Sequence, residues 1–141
     1  MLADIVRLVD LSRQITLSVH WHTKCLTVHQ HTGDLQGKLY EIKDTLAERA
    51  VSKGETIDLS LEKLTHCQKE YKMPTPNEST VETIISSLKI ISKAMEDLNE
   101  KNSATKALID DSVLEIDKSI FLLNMLLDKD DKKPKKQGLF D

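Results

Sequence analysis

The segment from His20 to Val51 carries the residues whose chemistry is most specific in this chain. It contains four of the five histidines, the single tryptophan, and two carboxylates, Asp44 and Glu48, spaced four residues apart. Imidazole nitrogen and carboxylate oxygen are the ligands that metals of intermediate hardness favour. These residue types therefore predict one metal site, provided that the fold brings the histidines and the carboxylates together.

The overall composition predicts a single domain built from helices. The chain has 141 residues, of which 39% are hydrophobic and 30% charged, and it contains four glycines and three prolines. A chain of this length can bury a sizeable core, and so few turn-forming residues predict helices joined by short connections. The net charge of −3 argues against a protein that binds nucleic acid through bulk charge alone.

Three features of the sequence favour a cytoplasmic protein. No apolar run approaches the roughly 20 residues that a membrane-spanning helix needs. The first residues lack the basic leader and the apolar block of a secretion signal. Cys25 and Cys67 are isolated, so the paired-cysteine spacing of a zinc site is absent and a reducing compartment is expected.

Apolar spacing predicts four long helices. The first runs from residue 2 to about residue 22, and after a short connection the second continues to Lys53-Gly54, where glycine favours a helix end. The third begins at Ser79 or Thr80, because either side chain can cap it. The fourth follows a break in the apolar pattern at residues 101–103.

The link between the second and third helices determines the expected topology. Residues 54–80 contain two prolines and are too long for a tight turn, although they leave room for one short helix. Such a link suits a crossover between helices that run in the same direction, which is the topology of a ferritin-like four-helix bundle. We therefore expect an all-α fold, with the bundle over residues 1–128 and a charged, flexible tail over residues 129–141.

The histidines and the carboxylates cannot meet within one chain. Asp44 and Glu48 lie one turn apart on the face of the second helix opposite Leu46. His29 lies on the same side but roughly 22 Å from Asp44 along the axis. Two copies of this helix, packed antiparallel about a two-fold axis, would bring His29 of one chain to both carboxylates of the other. The short connection would place His20 beside His29 and complete the site.

Two glycines lie on the same outward face of the second helix. At Gly33 and Gly37 the missing side chains would let a partner helix approach closely, as small residues do at tight helix crossings. The ordinary interpretation is that both are simply weak positions in a helix.

The other candidate residues also have ordinary interpretations. A pair such as Asp44 and Glu48 is often a solvated helix face, and a histidine near a helix end often has no ligand. Trp21 is interpreted as a packing anchor rather than as a catalytic group. The remaining histidines are interpreted as surface residues, with His22 or His31 as a candidate outer ligand.

Several segments together resemble the Dps-type mini-ferritins, the DNA-binding proteins from starved cells. The HWN motif that ends the first helix of that family is similar to HWH at residues 20–22, and its VHE segment is similar to VHQ at residues 28–30. Its D-x-x-A-E-R element resembles DTLAERAV at residues 44–51, and EIDKSIFLLNMLL at residues 115–127 looks like its last helix.

The resemblance implies an iron-binding protein that is a homo-oligomer, a dimer at least and a hollow shell of twelve subunits in the family. Such proteins oxidise Fe(II) with hydrogen peroxide or oxygen, store the ferric iron, and so protect against oxidative damage. The residues that would bind iron, shared across a dimer interface, are His20, His29, Asp44 and Glu48, with Asp34 as a further candidate.

Departures from the family pattern leave other functions open. The connection between the two histidine segments is shorter, Gly33 stands where the family often has an acidic ligand, and His22 replaces asparagine. Loss of a carboxylate would weaken the second iron position, which predicts one iron per site or weaker binding. The alternatives are a shell-forming or DNA-associated protein with reduced or lost ferroxidase activity, and a partner-binding bundle without metal. DNA binding is not favoured, because a basic N-terminal tail is absent and nearby aspartates partly cancel the C-terminal lysines that could substitute for it. Those lysines are Lys132, Lys133, Lys135 and Lys136.

Overall fold

Helices account for all the regular structure of the described residues. The computed structural model describes residues 1–131, except for the side chains of Glu78 and of residues 129–131. The elements are α1 (Leu2–His22), α2 (Leu26–Ser52), α3 (Leu61–Tyr71), a 3-10 turn (Pro76–Glu78), α4 (Val81–Asp97) and α5 (Ser103–Asp131). The all-α prediction is therefore confirmed over this range. No helix in it has an apolar stretch of the length that crossing a bilayer requires.

The helix ends follow from local chemistry. Gly54, just beyond α2, has φ +90, a left-handed conformation that glycine adopts at little cost. The N-terminus of α4 is closed by a capping box, in which the Thr80 side chain accepts from the Thr83 backbone N–H and the Thr83 side chain accepts from that of Thr80. Thr80, rather than Ser79, is therefore the cap of this helix.

The core is built from apolar residues that recur at the spacing of one helix face. In α2 the buried residues include Leu35, Leu39, Leu46 and Ala50, and in α5 they include Ile109, Ile116 and Leu123. The buried face of α4 is formed by Ile84, Ile85, Leu88, Ile91 and Met95. These side chains join the apolar face of α1 in one continuous core, so burial of apolar surface positions all four long helices.

The helices pack in pairs around this core. α1 packs against α2 and α4, and α5 packs against α4 and α2. The Arg49 guanidinium, near the end of α2, donates to Thr105 Oγ1 at 2.8 Å and to Asn102 Oδ1 at 3.0 Å, at the start of α5. Further along, Lys38 Nζ lies 3.8 Å from Glu115 Oε2. The end of α2 therefore meets the start of α5, and these two helices run antiparallel.

The link between α2 and α4 is held against α1. Glu55 Oε1 accepts from the Ala3 backbone N–H at 3.2 Å, and Arg7 Nε donates to the Asp58 carbonyl at 2.9 Å. Both α3 and the 3-10 turn also pack against α1. The short helix for which the sequence left room in this link is α3.

The C-terminal tail predicted from the sequence falls mostly outside the described residues. α5 continues to Asp131, past the expected end of the bundle at residue 128. The four lysines considered for DNA binding lie outside the described residues, and they are Lys132, Lys133, Lys135 and Lys136.

A buried thiol gives a test of how α3 packs on α1. Cys67 is 2% exposed and its Sγ lies 3.8 Å from the carbonyl oxygen of Asp4. Burial, with a smaller contribution from the Asp4 charge, raises the pKa of Cys67 to about 11. At pH 8 we expect an aromatic disulfide reagent to modify the exposed Cys25 and to leave Cys67 unmodified until urea unfolds the protein. In a Cys25→Ser variant, rapid modification of the folded protein would contradict this packing.

Candidate metal centre

His20 and His29 lie side by side at the end of the bundle where α1 and α2 are connected. His20 is in the last turn of α1 and His29 is near the start of α2, across a connection of residues 23–25. Their imidazole rings stack, with centroids 4.0 Å apart and 15° between the planes. The proximity that the short connection predicted is therefore present.

Hydrogen bonds to the main chain orient both imidazole rings. Nδ1 of His20 lies 2.8 Å from the carbonyl oxygen of His29, and Nδ1 of His29 lies 2.9 Å from the carbonyl oxygen of His20. A carbonyl oxygen can only accept, so each Nδ1 carries a proton and donates it. Each neutral ring then keeps its lone pair on Nε2, which is the tautomer and support typical of metal-binding histidines.

Two neighbouring residues of α2 also contact the ring of His20. Thr32 is buried, its hydroxyl donates to the Val28 carbonyl at 2.7 Å, and its Oγ1 accepts from Nδ1 of His20 at 3.2 Å. A Cβ built on Gly33 would lie 3.0 Å from Cε1 of His20. Sequence reasoning gives Thr32 no role, and it interprets Gly33 as a point of close approach for a partner helix or as a weak helix position. The available signal was their position, three and four residues after His29 on the same helix.

Asp44 and Glu48 are both exposed on the outward face of α2. Leu46, between them, is fully buried, which places the two carboxylates on the side of the helix away from the core. The rise of an α-helix puts His29 about 22 Å from Asp44 along α2. Within residues 1–131 no group of three or more His, Cys, Asp and Glu side chains is arranged to hold a metal ion. One chain therefore brings the two histidines together and leaves the two carboxylates apart from them.

Asp34, the further candidate ligand, lines a groove between α2 and α5. The groove has a volume of about 140 Å³, and His31, Lys38 and Ser119 also line it. The ring of His20, in contrast, reaches α2 from the α1 side and lies against Gly33. The structure thus places Asp34 on a different side of α2 from the histidine pair.

The tryptophan of the HWH motif does not anchor the packing of a single chain. Trp21 is 68% exposed, so its interpretation as a packing anchor is wrong for the isolated protomer. Trp21 comes directly after the half-buried His20 in the sequence. Successive residues of a helix are rotated by about 100°, so the indole points away from α2. His22 is exposed as well, and its Nδ1 lies 2.8 Å from the Ser18 carbonyl of its own helix.

Comparison with known proteins adds no relative to this description. No protein-family model, no curated protein and no solved structure matches the chain. The residues of α1 and α2, in the positions in which the fold places them, therefore carry the functional assignment.

Proposed function

We propose that this protein binds and oxidises Fe(II) at a site shared by two chains and stores the ferric product. The observation that carries the proposal is the stacked pair of His20 and His29, in which both Nδ1 atoms donate to main-chain carbonyls. This arrangement leaves the Nε2 lone pairs of both histidines available to bind a metal ion at the end of α1. Asp44 and Glu48 of the partner subunit would supply the oxygen ligands.

The helix pairings support the ferritin-like topology on which this proposal draws. α2 contacts α5 in an antiparallel sense, and α4 is joined to α5 by the short connection 98–102. A short connection joins helices that run antiparallel, so α4 and α2 would both be antiparallel to α5. They would then run in the same direction as each other. The link of residues 53–80 between them would then be the long crossover of a ferritin-like bundle.

The position of Gly37 supports a two-fold pairing of α2. Along α2, the midpoint between His29 and either carboxylate residue falls close to Gly37. If two copies of α2 pack antiparallel about a two-fold axis at that point, His29 of one chain meets Asp44 and Glu48 of the partner subunit. Among the described residues, and apart from the adjoining backbone of α2 itself, no atom lies within 4 Å of the position that a Cβ of Gly37 would take. An open glycine at the axis would let the two backbones approach closely.

Exposed apolar side chains on the same face support the same axis. Leu26 and Val51, near the two ends of α2, are 69% and 57% exposed. Their midpoint also falls close to Gly37, so the axis would place Leu26 against the partner's Val51. Burial of these side chains, with Trp21 beside His20, would favour association and exclude water from the iron site.

Iron is the substrate in the proposed reaction. Carboxylate oxygens favour the more highly charged Fe(III), so Fe(II) bound by the partner's Asp44 and Glu48 would be oxidised more readily than in water. With hydrogen peroxide as oxidant, two Fe(II) ions each give one electron and the O–O bond breaks. Two protons then complete two water molecules, and the ferric ions pass to storage.

Replacing Asp44 and Glu48 with alanine tests this function directly. Both side chains are exposed and alanine favours the helix, so we expect unchanged helix content and unfolding. The initial rate of Fe(II) oxidation by peroxide, followed by ferric absorbance, should fall to that of buffer. Asp111 and Glu115 give a matched control, because they are exposed, spaced four residues apart and located on α5. Equal rates for the two double-alanine variants would contradict the proposal.

A second candidate function is favoured by one observation at Gly33. No carboxylate stands at this position, and the ring of His20 occupies the space beside it. A shell-forming or DNA-associated protein with reduced or lost ferroxidase activity is consistent with such a site. Iron-loading absorbance at neutral pH separates this candidate from the first, and gel retardation across salt concentrations tests the binding of DNA.

A further inference from the structure

We infer that Gly33 is a positioning residue for His20. The absence of a side chain at residue 33 lets the His20 imidazole lie close against α2 and reach the main chain of His29. The geometric part of this inference is independent of any metal. Its consequence for metal binding rests on the proposed function.

Several contacts hold the ring of His20 in place. It stacks on the ring of His29, and its Nδ1 donates to the His29 carbonyl at 2.8 Å and to Thr32 Oγ1 at 3.2 Å. A Cβ on Gly33 would lie 3.0 Å from Cε1, 3.4 Å from Nδ1 and 3.8 Å from Nε2 of this ring. Carbon atoms in contact are normally about 3.5–4.0 Å apart. A shift of the ring away from residue 33 would disturb its hydrogen bonds or the stack with His29.

It follows that a side chain at residue 33 would force the His20 ring to shift from its observed position by a few tenths of an ångström. The connection of residues 23–25 is too short to carry His20 to a different part of α2. An acidic residue at position 33 would therefore displace the imidazole instead of adding a ligand to it. The shared site would then depend on Asp44 and Glu48 of the partner subunit for its carboxylates.

A cycle of alanine variants measures the contact between Gly33 and His20 without metal. Alanine favours a helix over glycine, so Gly33→Ala should raise the urea midpoint wherever nothing opposes the new methyl group. We expect this rise in a His20→Ala background and no rise, or a fall, in the parent protein. An equal rise in the two backgrounds would overturn the inference.

Titration with Co(II), a spectroscopic stand-in for Fe(II), measures the consequence for binding. Loss of the groups that support a metal-binding histidine weakens affinity by about 10-fold or more, and we expect that loss for Gly33→Ala and a larger one for Gly33→Asp. If Gly33→Asp binds Co(II) as tightly as the parent or more tightly, the inference fails and the proposed function stands. If the parent itself binds no Co(II), the proposed function fails, and the urea cycle still decides the role of Gly33.

Discussion

Two inactive variants mixed together should oxidise iron again. The first variant, His20→Ala/His29→Ala, keeps both carboxylates, and the second, Asp44→Ala/Glu48→Ala, keeps both histidines. In a mixed dimer the histidines of the second variant face the carboxylates of the first, which rebuilds one of the two shared sites. Each variant alone has no complete site. The expected result is therefore activity in the mixture and background rates in each component.

The amount of recovered activity can be stated in advance. Random pairing of equal amounts makes about half of the dimers mixed, and each mixed dimer has one intact site, so about a quarter of the parent activity should return. The measurement is the initial rate of Fe(II) oxidation by peroxide after the two variants are unfolded and refolded together. Joint refolding allows the chains to exchange partners.

The parent protein mixed with a variant lacking all four residues gives the matched control. A shared site predicts that only parent–parent dimers are active, so about a quarter of the parent activity remains, whereas a site within one chain predicts that about half of it remains. If the two complementary variants stay inactive together and this control retains half of the activity, the shared site is wrong.

Gly37→Glu should separate the chains and abolish iron oxidation. The protomer accepts this side chain, because the part of the chain that the structure describes places no atom within 4 Å of the added Cβ beyond the neighbouring backbone of α2. Glutamate also favours a helix over glycine. At a two-fold axis near residue 37, however, the substitution would bring the two new carboxylates of the paired chains together. Juxtaposed like charges cost several kcal/mol, so we expect association to weaken by about 100-fold or more. Sedimentation velocity and circular dichroism should show a monomer of unchanged helix content.

Thr45→Glu is the matched control for this experiment. It adds the same charge to α2 at an exposed residue, and the new side chain lies four residues from Glu41, as a glutamate at residue 37 would. Thr45 lines the groove towards α5 with Asp111 and Glu115, so it lies off the proposed axis. We expect the Thr45→Glu variant to associate and oxidise iron like the parent. If the Gly37→Glu variant sediments and oxidises iron in the same way as the Thr45→Glu variant, pairing through α2 is wrong.

The sequence alone determined the helices and their buried faces. The apolar repeat from Leu35 to Ala50 and the run from Ile84 to Met95 each place side chains on one side of a helix, and both sides are buried. Gly54 and Thr80 marked helix ends because their local conformations and hydrogen bonds need no distant partner. Such features are visible in sequence because they depend on residues within about one turn of each other.

The same locality made part of the candidate site predictable. His20 and His29 are nine residues apart and flank the short connection between two antiparallel helices. Local chain geometry is therefore enough to bring their rings together. The outward direction of Asp44 and Glu48 followed from the burial of Leu46 on the opposite side of the same helix.

Only the tertiary structure decided how the site is supported. The contact of His20 with Gly33 and Thr32 depends on the separation and rotation of α1 against α2, which the periodicity of either helix leaves open. The same packing placed Asp34 in the groove towards α5 and left Trp21 exposed. Periodicity specifies which face of a helix is buried, whereas the atoms that touch across two helices are specified by how their side chains interlock.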